Sequence, residues 1–289
     1  MASVAVAIFM ARLDISIVNI SLPSIAGSFH ADTGAVAWVA MGYLLFSCGC
    51  MLVVGRVADD LSPRLLFVLG YAVFTIASLL CGLAGSLAML IVFRCVQGVG
   101  GAVLVILAYT AVARYLPAQR AGGAMGLLAT SGALGIALGS PLGGLLTEQL
   151  SWRWVFLVNV PVGVIAVVLA LRVVPRQAAR TGPPARLDYA GAILSFVAVA
   201  ALVTALSLGE EAGWGSAVII ALFALCAVTG VLFVVRQSRA ADPLVAPSLL
   251  RDRRFLLAVT TTVCGCILMG GNGFLMPFYL ELLLSLIHI

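Results

Sequence analysis

The sequence predicts an all-α polytopic membrane protein, and three features of the chain support this prediction. First, 63% of its 289 residues are hydrophobic and only 9% are charged, which is far from the composition of a soluble globular domain. Second, the mean hydropathy is +1.20, and nine apolar runs are each long enough to cross a bilayer. Third, arginines cluster between every second pair of runs. Backbone polar groups have no water to bind in hydrocarbon, so the runs are predicted to be helices.

The nine predicted spans are separated by clusters of Gly, Pro and charged residues, which interrupt apolar helices. They cover residues 3–26, 36–55, 66–86, 88–113, 122–147, 154–174, 190–208, 216–235 and 256–280. Residues 284–289 resemble translated adapter sequence rather than a polar tail. We therefore expect the chain to be a C-terminally truncated piece of a longer protein.

The arginines also predict how the spans are oriented. They fill alternate connections, at Arg56 and Arg64, at Arg114 and Arg120, from Arg172 to Arg186, and from Arg236 to Arg254. Short loops rich in Arg stay in the cytoplasm, so the N-terminus is predicted to be cytoplasmic. These loops account for the net charge of +5, and nucleic acid is not an expected partner.

Asp14 is an acidic residue in the middle of the first span, about 16 Å from its inner end. A charge at the bilayer centre costs from about 2.5 to more than 10 kcal/mol, so such a residue faces a cavity, has a partner or takes up a proton. Proton coupling or substrate contact is the favoured interpretation. The alternative is a structural Asp bonded to neighbouring helices or to polar groups such as Asn19. Arg12 lies on the wrong face for a direct pair with Asp14. Its side chain is long enough to reach back to the inner interface, and no role is assigned to it.

Arg94 lies inside the fourth span, about 9 Å from its outer end. Arg94, Gln97, Gly98 and Gly101 share one helical face, which combines a fixed positive charge, an amide and small residues that permit close helix approach. We expect this face to point into the bundle. The alternative is an arginine that only extends to the outer headgroups.

The fifth span carries Gly135, Gly139 and Gly143 at four-residue spacing, which predicts a stripe for tight helix packing. Pro141 cannot donate to the carbonyl of Ala137, so a kink or hinge is predicted there. Ordinary helix packing, with no role in transport, is the alternative.

A short inner loop with both signs of charge is predicted between the second and third spans, from Gly55 to Arg64. Asp59 is placed to cap the third helix or to bridge to an arginine. A solvated turn is the alternative.

The seven cysteines all lie within apolar spans, where they are expected to fill space rather than to form disulfides or hold a metal. His30 and His288 are the two histidines, and no zinc-ligand cluster or pair of nucleophile and base is recognisable. An enzyme is therefore not expected, and neither is a metal or a cofactor.

Together these patterns resemble the major facilitator superfamily, specifically its fourteen-span drug:proton antiporter branch of the EmrB/QacA type. The run from Leu13 and Asp14 through Asn19 to Pro23 resembles the first-span signature of this branch. Further resemblances lie in the fourth-span motif (Arg94, Gln97, Gly98, Gly100), the fifth-span motif (Gly135, Gly139, Gly143, Gly144), the run from Trp152 to Pro161, and the loop motif (Gly55, Asp59, Arg64). The chain departs from the loop motif at Asp60, Ser62 and Pro63, and its fifth-span proline falls one position late.

The resemblance implies a major facilitator fold that is incomplete, with about nine of fourteen transmembrane helices. Residues 1–174 would form the N-terminal six-helix bundle and residues 175–188 a cytoplasmic linker. Residues 189–235 would be the extra pair of helices and residues 236–254 a second cytoplasmic linker. Residues 255–289 would hold the first helix of a truncated C-terminal bundle and the doubtful tail.

The resemblance also implies a proton-coupled exporter of small apolar or cationic compounds that works by alternating access. Asp14 and Arg94 would couple proton movement to transport, and the proton gradient would supply the energy in place of a cofactor. The substrate cavity or its helix packing would involve Asn19, Gln97, Gly98, Gly101, Gly135, Gly139, Pro141 and Gly143. Gly55, Asp59 and Arg64 would gate the cytoplasmic side.

The expected partners are a small-molecule substrate, protons and the lipid bilayer, in a bacterial plasma membrane. Two alternatives stay open: an exporter of the same fold that is specific for one metabolite or antibiotic, and a membrane sensor that does not transport. The sequence leaves the oligomeric state open.

Overall fold

A computed structural model describes residues 1–174, 188–240, 242–246 and 248–282, except for the side chains of residues 59, 60, 211, 250 and 269–282. Within these ranges the chain is helical and contains no strand. The α-helices are α1 (Ala2–Phe29), α2 (Thr33–Asp60), α3 (Pro63–Gly82), α4 (Leu87–Tyr115), α5 (Ala118–Gln149), α6 (Trp154–Leu157), α7 (Asn159–Val173), α8 (Tyr189–Ala212), α9 (Ala217–Arg239) and α10 (Arg253–Leu282). One 3-10 helix covers Leu249–Arg251.

The all-α membrane fold is confirmed. Eight segments of the described chain are long and apolar enough to span a membrane, and they correspond to the first eight predicted spans. The ninth predicted span lies within α10. The first predicted linker, apart from Asp188, and residues 283–289 of the doubtful tail lie outside the described residues.

Side-chain caps begin α2 and α4 earlier than predicted. The Asp32 carboxylate accepts from the N–H of Ala35 at 2.6 Å and begins α2 three residues earlier than predicted. The hydroxyl of Ser86 accepts from the N–H of Met89 at 3.2 Å and begins α4. Such caps satisfy N–H groups that have no partner within the helix, and apolar composition alone does not reveal them.

The sixth predicted span, residues 154–174, is not one continuous helix. It consists of α6 and α7, which are separated at Val158. Pro161 has no N–H to donate to the carbonyl of Leu157, so the first turn of α7 cannot continue the hydrogen-bond pattern of α6. By contrast, α5 continues through Pro141, and the predicted kink there stays a prediction.

Helices α1 to α7 pack around two hydrophobic clusters. One cluster includes Met10, Phe74 and Leu104, and the other includes Ile17, Cys81 and Leu90. Between the two clusters lie buried polar side chains, Asp14 on α1, Ser78 on α3, and Arg94 and Gln97 on α4. The core is therefore divided by a polar layer near the middle of the bundle.

Helices α8 and α9 pack against each other as a hairpin and contact the bundle through α2. The ring of Phe196 on α8 lies edge-on to that of Phe46, with centroids 5.1 Å apart, and it also contacts Gly49. At the start of α8, the Asp188 carboxylate accepts from Arg236 at 2.7 Å and from Gln237 at 3.0 Å. The contacts of Phe196 thus fix the hairpin to α2, and those of Asp188 join α8 to α9.

Candidate functional site

The polar layer is built from side chains of four helices that meet at Asp14. Arg94 and Gln97 come from α4, Ser78 from α3 and Asn159 from the first turn of α7. The predicted proton-coupling residues, Asp14 and Arg94, are thus brought together although they lie 80 positions apart in the chain.

The Asp14 carboxylate has three donors. Its Oδ2 accepts from Arg94 Nη1 at 2.5 Å, and its Oδ1 accepts from Gln97 Nε2 at 2.8 Å and from Asn159 Nδ2 at 3.0 Å. Charge-assisted bonds of this kind are about twice as strong as bonds between neutral groups. The donor set is suited to an ionised carboxylate, because both oxygens accept and all three partners donate.

Arg94 is held on all sides. Its Nε donates to the carbonyl of Val39 at 2.9 Å, and its Nη1 also donates to Gln97 Oε1 at 2.7 Å. Its guanidinium lies 4.4 Å from the centre of the Tyr43 ring and 5.8 Å from that of Phe156, within the range of cation–π attraction. An arginine that extends to the outer headgroups is therefore the wrong interpretation.

The layer has no contact with solvent. The side chain of Asp14 is 0% exposed and that of Arg94 is 1% exposed. Asn159 is fully buried as well, and its Oδ1 has no hydrogen-bond partner. A proton can therefore reach Asp14 only if the layer opens. Asn159 Oδ1 is free to accept a hydrogen bond when the side chains of the layer rearrange.

The glycines of α4 allow neighbouring helices to approach this layer. A Cβ on Gly98 would lie 2.5 Å from the carbonyl O of Tyr43, and one on Gly101 would lie 2.5 Å from its hydroxyl. Both distances are shorter than any normal contact, so the glycines are needed for α2 to pack here. Gly98 and Gly101 therefore lie where α4 packs against α2, as their predicted role in helix packing requires.

The glycines of α5 have the same role towards α1. A Cβ on Gly135 would lie 2.7 Å from the carbonyl O of Phe9, and one on Gly143 would lie 2.9 Å from that of Ile17. Gly139 faces Ser16, whose hydroxyl donates to the carbonyl of Ile136 at 2.9 Å. The stripe therefore packs α5 closely along α1, whereas Pro141 is exposed.

Asn19 lies apart from this layer. It is exposed, and so is Arg12, whereas Asp14 on the same helix is buried. Residues 12 and 19 are seven apart and share a face, which lies roughly opposite that of Asp14. Helix α1 thus carries Asp14 into the bundle, and Arg12 and Asn19 on its open side.

The predicted inner loop is largely helical, which corrects the prediction. Helix α2 runs through Asp60, so Gly55 and Asp59 lie on it, and the connection to α3 is reduced to Leu61 and Ser62. The cap of α3 is Ser62, whose hydroxyl accepts from the N–H of Leu65 at 3.3 Å. The side chain of Asp59 lies outside the described residues.

Two other side chains of this segment contact distant parts of the chain. The Arg64 guanidinium donates to the carbonyl of Leu171, and Arg56 Nη2 lies 3.6 Å from Asp242 Oδ1. The segment therefore connects α2 and α3 to α7 and to the second predicted linker.

Two residues of the layer, Asn159 and Ser78, were not predicted as site residues. Asn159 is an amide in an otherwise apolar span, which is a usable sequence signal for a buried polar site. The Ser78 hydroxyl accepts from Gln97 at 2.7 Å and donates to the carbonyl of Phe74 at 2.8 Å. A serine among many small residues carries no such signal. Within the described part of the chain, no group of three or more His, Cys, Asp or Glu residues could hold a metal ion.

Comparisons with known proteins agree with the architecture. The family model described as Major Facilitator Superfamily matches residues 4–287. The MFS-type transporter Rv1250 of Mycobacterium tuberculosis is 36% identical over 96% of the chain and 47% of its own length. The multidrug transporter protein MdtP of Bacillus subtilis is 31% identical over 96% of the chain and 51% of its own length.

The putative multidrug resistance protein MdtD of Escherichia coli O1:K1 is 34% identical over 96% of the chain and 59% of its own length. The chain thus spans about half the length of the curated relatives it matches. Among solved structures, it is similar to a bacterial homologue of the human lysosomal transporter Spinster, in an inward-facing and unoccupied conformation. In that comparison the TM-score is 0.49 and the identity 18%, over 82% of this chain and 60% of the other.

Proposed function

The chain belongs to the major facilitator superfamily, and from this premise we propose that it is part of a proton-driven secondary exporter of small, largely apolar compounds. The single observation that carries the proposal is the buried pair of Asp14 and Arg94, 2.5 Å apart. The multidrug names of MdtP and MdtD support the class of substrate.

In this proposal the proton acts by neutralising Asp14, which is the counter-charge of the buried Arg94. While Asp14 is ionised, its charge balances that of Arg94. Protonation of Asp14 would leave Arg94 charged and without a counter-charge at 1% exposure. Breaking a buried pair in this way costs about 3–5 kcal/mol, because one charge stays desolvated. The layer would then have to rearrange or admit water, so proton uptake favours a different conformation.

Such a change can move whole helices, because the layer joins α1, α3, α4 and α7. The close packing of α5 on α1 transmits any shift of α1 to a second long helix. Alternating access in secondary transporters arises when packed units of this kind rock around a central site. In that cycle Asp14 would take up a proton from outside and release it inside.

The arginine-rich connections support a cytoplasmic N-terminus in a bacterial plasma membrane. An inside-negative potential adds about 2.3 kcal/mol per charge for every 100 mV and favours inward movement of protons.

The test measures dye export in an efflux-deficient bacterial host that expresses the full-length protein containing this chain. Accumulation of a fluorescent dye is followed in energised cells with and without a proton uncoupler. We expect Asp14→Asn to abolish uncoupler-sensitive export while the protein still inserts into the membrane.

Asp32→Asn is the matched control, because Asp32 is exposed and Asn also caps a helix well. This variant should export normally. Undiminished uncoupler-sensitive export by Asp14→Asn would remove Asp14 from the mechanism.

A further inference from the structure

We propose that the open face of α1 around Arg12 binds the anionic group of the transported compound, so that the substrates are amphipathic acids rather than cations. This inference rests on the proposed function, because it names the class of substrate of the same transporter. The sequence-based expectation was a substrate that is apolar or cationic. The inference replaces the cationic compounds with anionic ones.

The geometry of α1 separates Arg12 from the proton-coupling layer. Successive residues turn by about 100°, so Arg12, Ser16 and Asn19 fall within about 60° of one another. Asp14 lies about 200° from Arg12 and faces into the bundle. The open face therefore carries a guanidinium, a hydroxyl and an amide at i, i+4 and i+7.

Arg12 has no counter-charge in the part of the chain that the structure describes. No ion pair or side-chain hydrogen bond joins it to another described residue. Asp14 is already paired with Arg94, and the other acidic residues of α1 to α7 lie at or near helix ends, at Asp32, Asp59, Asp60 and Glu148. In the middle of α1 to α7, Asp14, Arg94 and Arg12 together leave one net positive charge.

The depth of Arg12 determines what its face can border. Arg12 is ten residues, or about 15 Å, from the start of α1 at Ala2, about three helical turns. A guanidinium exposed to acyl chains at such depth would cost several kcal/mol. Water or polar groups, such as those that line a transport cavity, therefore suit this face of α1 better than acyl chains do.

The flanks of this face are also defined. On one side lies α5, where Gly132 would place a Cβ 3.5 Å from Arg12 Cγ, and where Ser140 Oγ lies 3.3 Å from Ser16 Oγ. On the other side lies α2, with Tyr43 and Cys48 within electrostatic range of Arg12. The carboxylates of both flanking helices lie at their ends, and the Ser16 hydroxyl already donates to the carbonyl of Ile136. A bound carboxylate would therefore meet the guanidinium of Arg12 and the amide of Asn19 as donors.

The chemistry of the guanidinium gives the ligand class. Arginine stays charged at all physiological pH values and binds a carboxylate or phosphate through two parallel N–H donors. A cationic compound at this face would meet a like charge. Export of an anion is, in addition, favoured by an inside-negative potential, which opposes export of a cation.

The test uses three probes with the same aromatic body: pyrenebutyrate, pyrenebutylammonium and the neutral pyrenebutanol. Binding to the purified full-length protein that contains this chain is measured by fluorescence titration, and export is measured in cells. We expect the wild-type protein to bind pyrenebutyrate about tenfold more tightly than pyrenebutylammonium. Arg12→Gln should remove most of this preference, and Arg12→Lys should keep part of it.

Arg120→Gln is the matched control, because Arg120 is an exposed arginine at the inner end of α5. It should leave the preference unchanged. Asp14→Asn should abolish export of every probe and leave the binding preference in place, so failure of proton coupling is distinguishable from failure of the anion site.

Two results would overturn the inference. One is equal or tighter binding of pyrenebutylammonium by the wild type. The other is an unchanged preference in Arg12→Gln, which would show that the anionic group contacts another part of the protein. If the first result is accompanied by loss of membrane insertion in Arg12→Gln but not in Arg12→Lys, the counter-charge of Arg12 is an acidic side chain elsewhere in the full-length protein.

Discussion

Arg94 and Arg12 both lie at membrane depth, yet their surroundings differ in every respect. Arg94 is 1% exposed and bonded to Asp14, Gln97 and the carbonyl of Val39. Arg12 is exposed and forms neither an ion pair nor a side-chain hydrogen bond with the described residues. The same side chain can therefore complete a closed core or leave a charge on an open face. The difference teaches that location within a span does not give the role of a charged residue, whereas its partners do.

The largest contrast is expected in stability. Arg94→Met removes one partner of a buried pair and should cost about 3–5 kcal/mol, because Asp14 stays desolvated and unpaired. Arg12→Met removes an exposed charge and should change stability by less than about 0.5 kcal/mol. Thermal unfolding of both purified variants in the same detergent measures the difference.

The double variant Arg94→Met with Asp14→Asn provides the control, because it removes both charges. It should recover much of the loss. Equal losses in the two single variants, or a double variant no more stable than Arg94→Met, would contradict the contrast between the two arginines.

A second prediction concerns the packing that holds both faces of α1 in place. Gly135→Ala should destabilise the protein by about 1–3 kcal/mol, because its Cβ would overlap the backbone at Phe9 and Leu13 and push α5 away from α1. Gly144→Ala is the matched control on the same helix, where no atom lies within 4 Å of a new Cβ. If both substitutions have the same effect on thermal unfolding, the stripe is not a packing surface.

Arg236 is an intermediate case between Arg94 and Arg12. Its side chain is 47% exposed, but it is paired with Asp188, which is 5% exposed. Burial acts to raise the pKa of Asp188, but the N–H of Gly191 and the side chains of Arg236 and Gln237 outweigh it and hold that pKa below its ordinary value. The stabilisation is therefore fully present above the ordinary pKa of an aspartic acid and is lost as the pH falls through the lowered value.

The same cluster orders the start of the second predicted linker. The Oε1 of Gln237 accepts from the N–H groups of Leu244 and Val245, at 2.6 and 3.2 Å. Asp188→Ala should cost about 1 kcal/mol through the lost helix cap, and it should speed hydrogen exchange at Gly191, Leu244 and Val245. Asp188→Asn keeps a capping side chain and should have a smaller effect. Unchanged exchange in Asp188→Ala would show that the cluster does not order the linker.

The sequence allowed much of the fold and part of the site to be predicted, for reasons that differ from residue to residue. Span length and hydropathy located the helices, and the four-residue spacing of Gly135, Gly139 and Gly143 identified a packing stripe because helix geometry is local. The start of α2 and the break before α7 were missed, since they depend on the cap at Asp32 and on the N–H group that Pro161 lacks.

The contact between Asp14 and Arg94 could not be predicted, because spacing within one helix says nothing about a partner on another. Asn159 joins Asp14 from 145 positions away, and its lone amide in an apolar span was the available signal. Arg12 received no role because it was compared only with Asp14 on its own helix. Its importance becomes visible once the structure separates the buried face of α1 from the open one.

The central claim is that Asp14 gains a proton and that the closed layer around Arg94 then opens. Infrared difference spectra of the purified protein between neutral and acidic buffer test it most directly, since a protonated carboxyl group has its own carbonyl band. The account predicts a band that is present in the wild type and absent in Asp14→Asn. Identical difference spectra for the wild type and Asp14→Asn would contradict it.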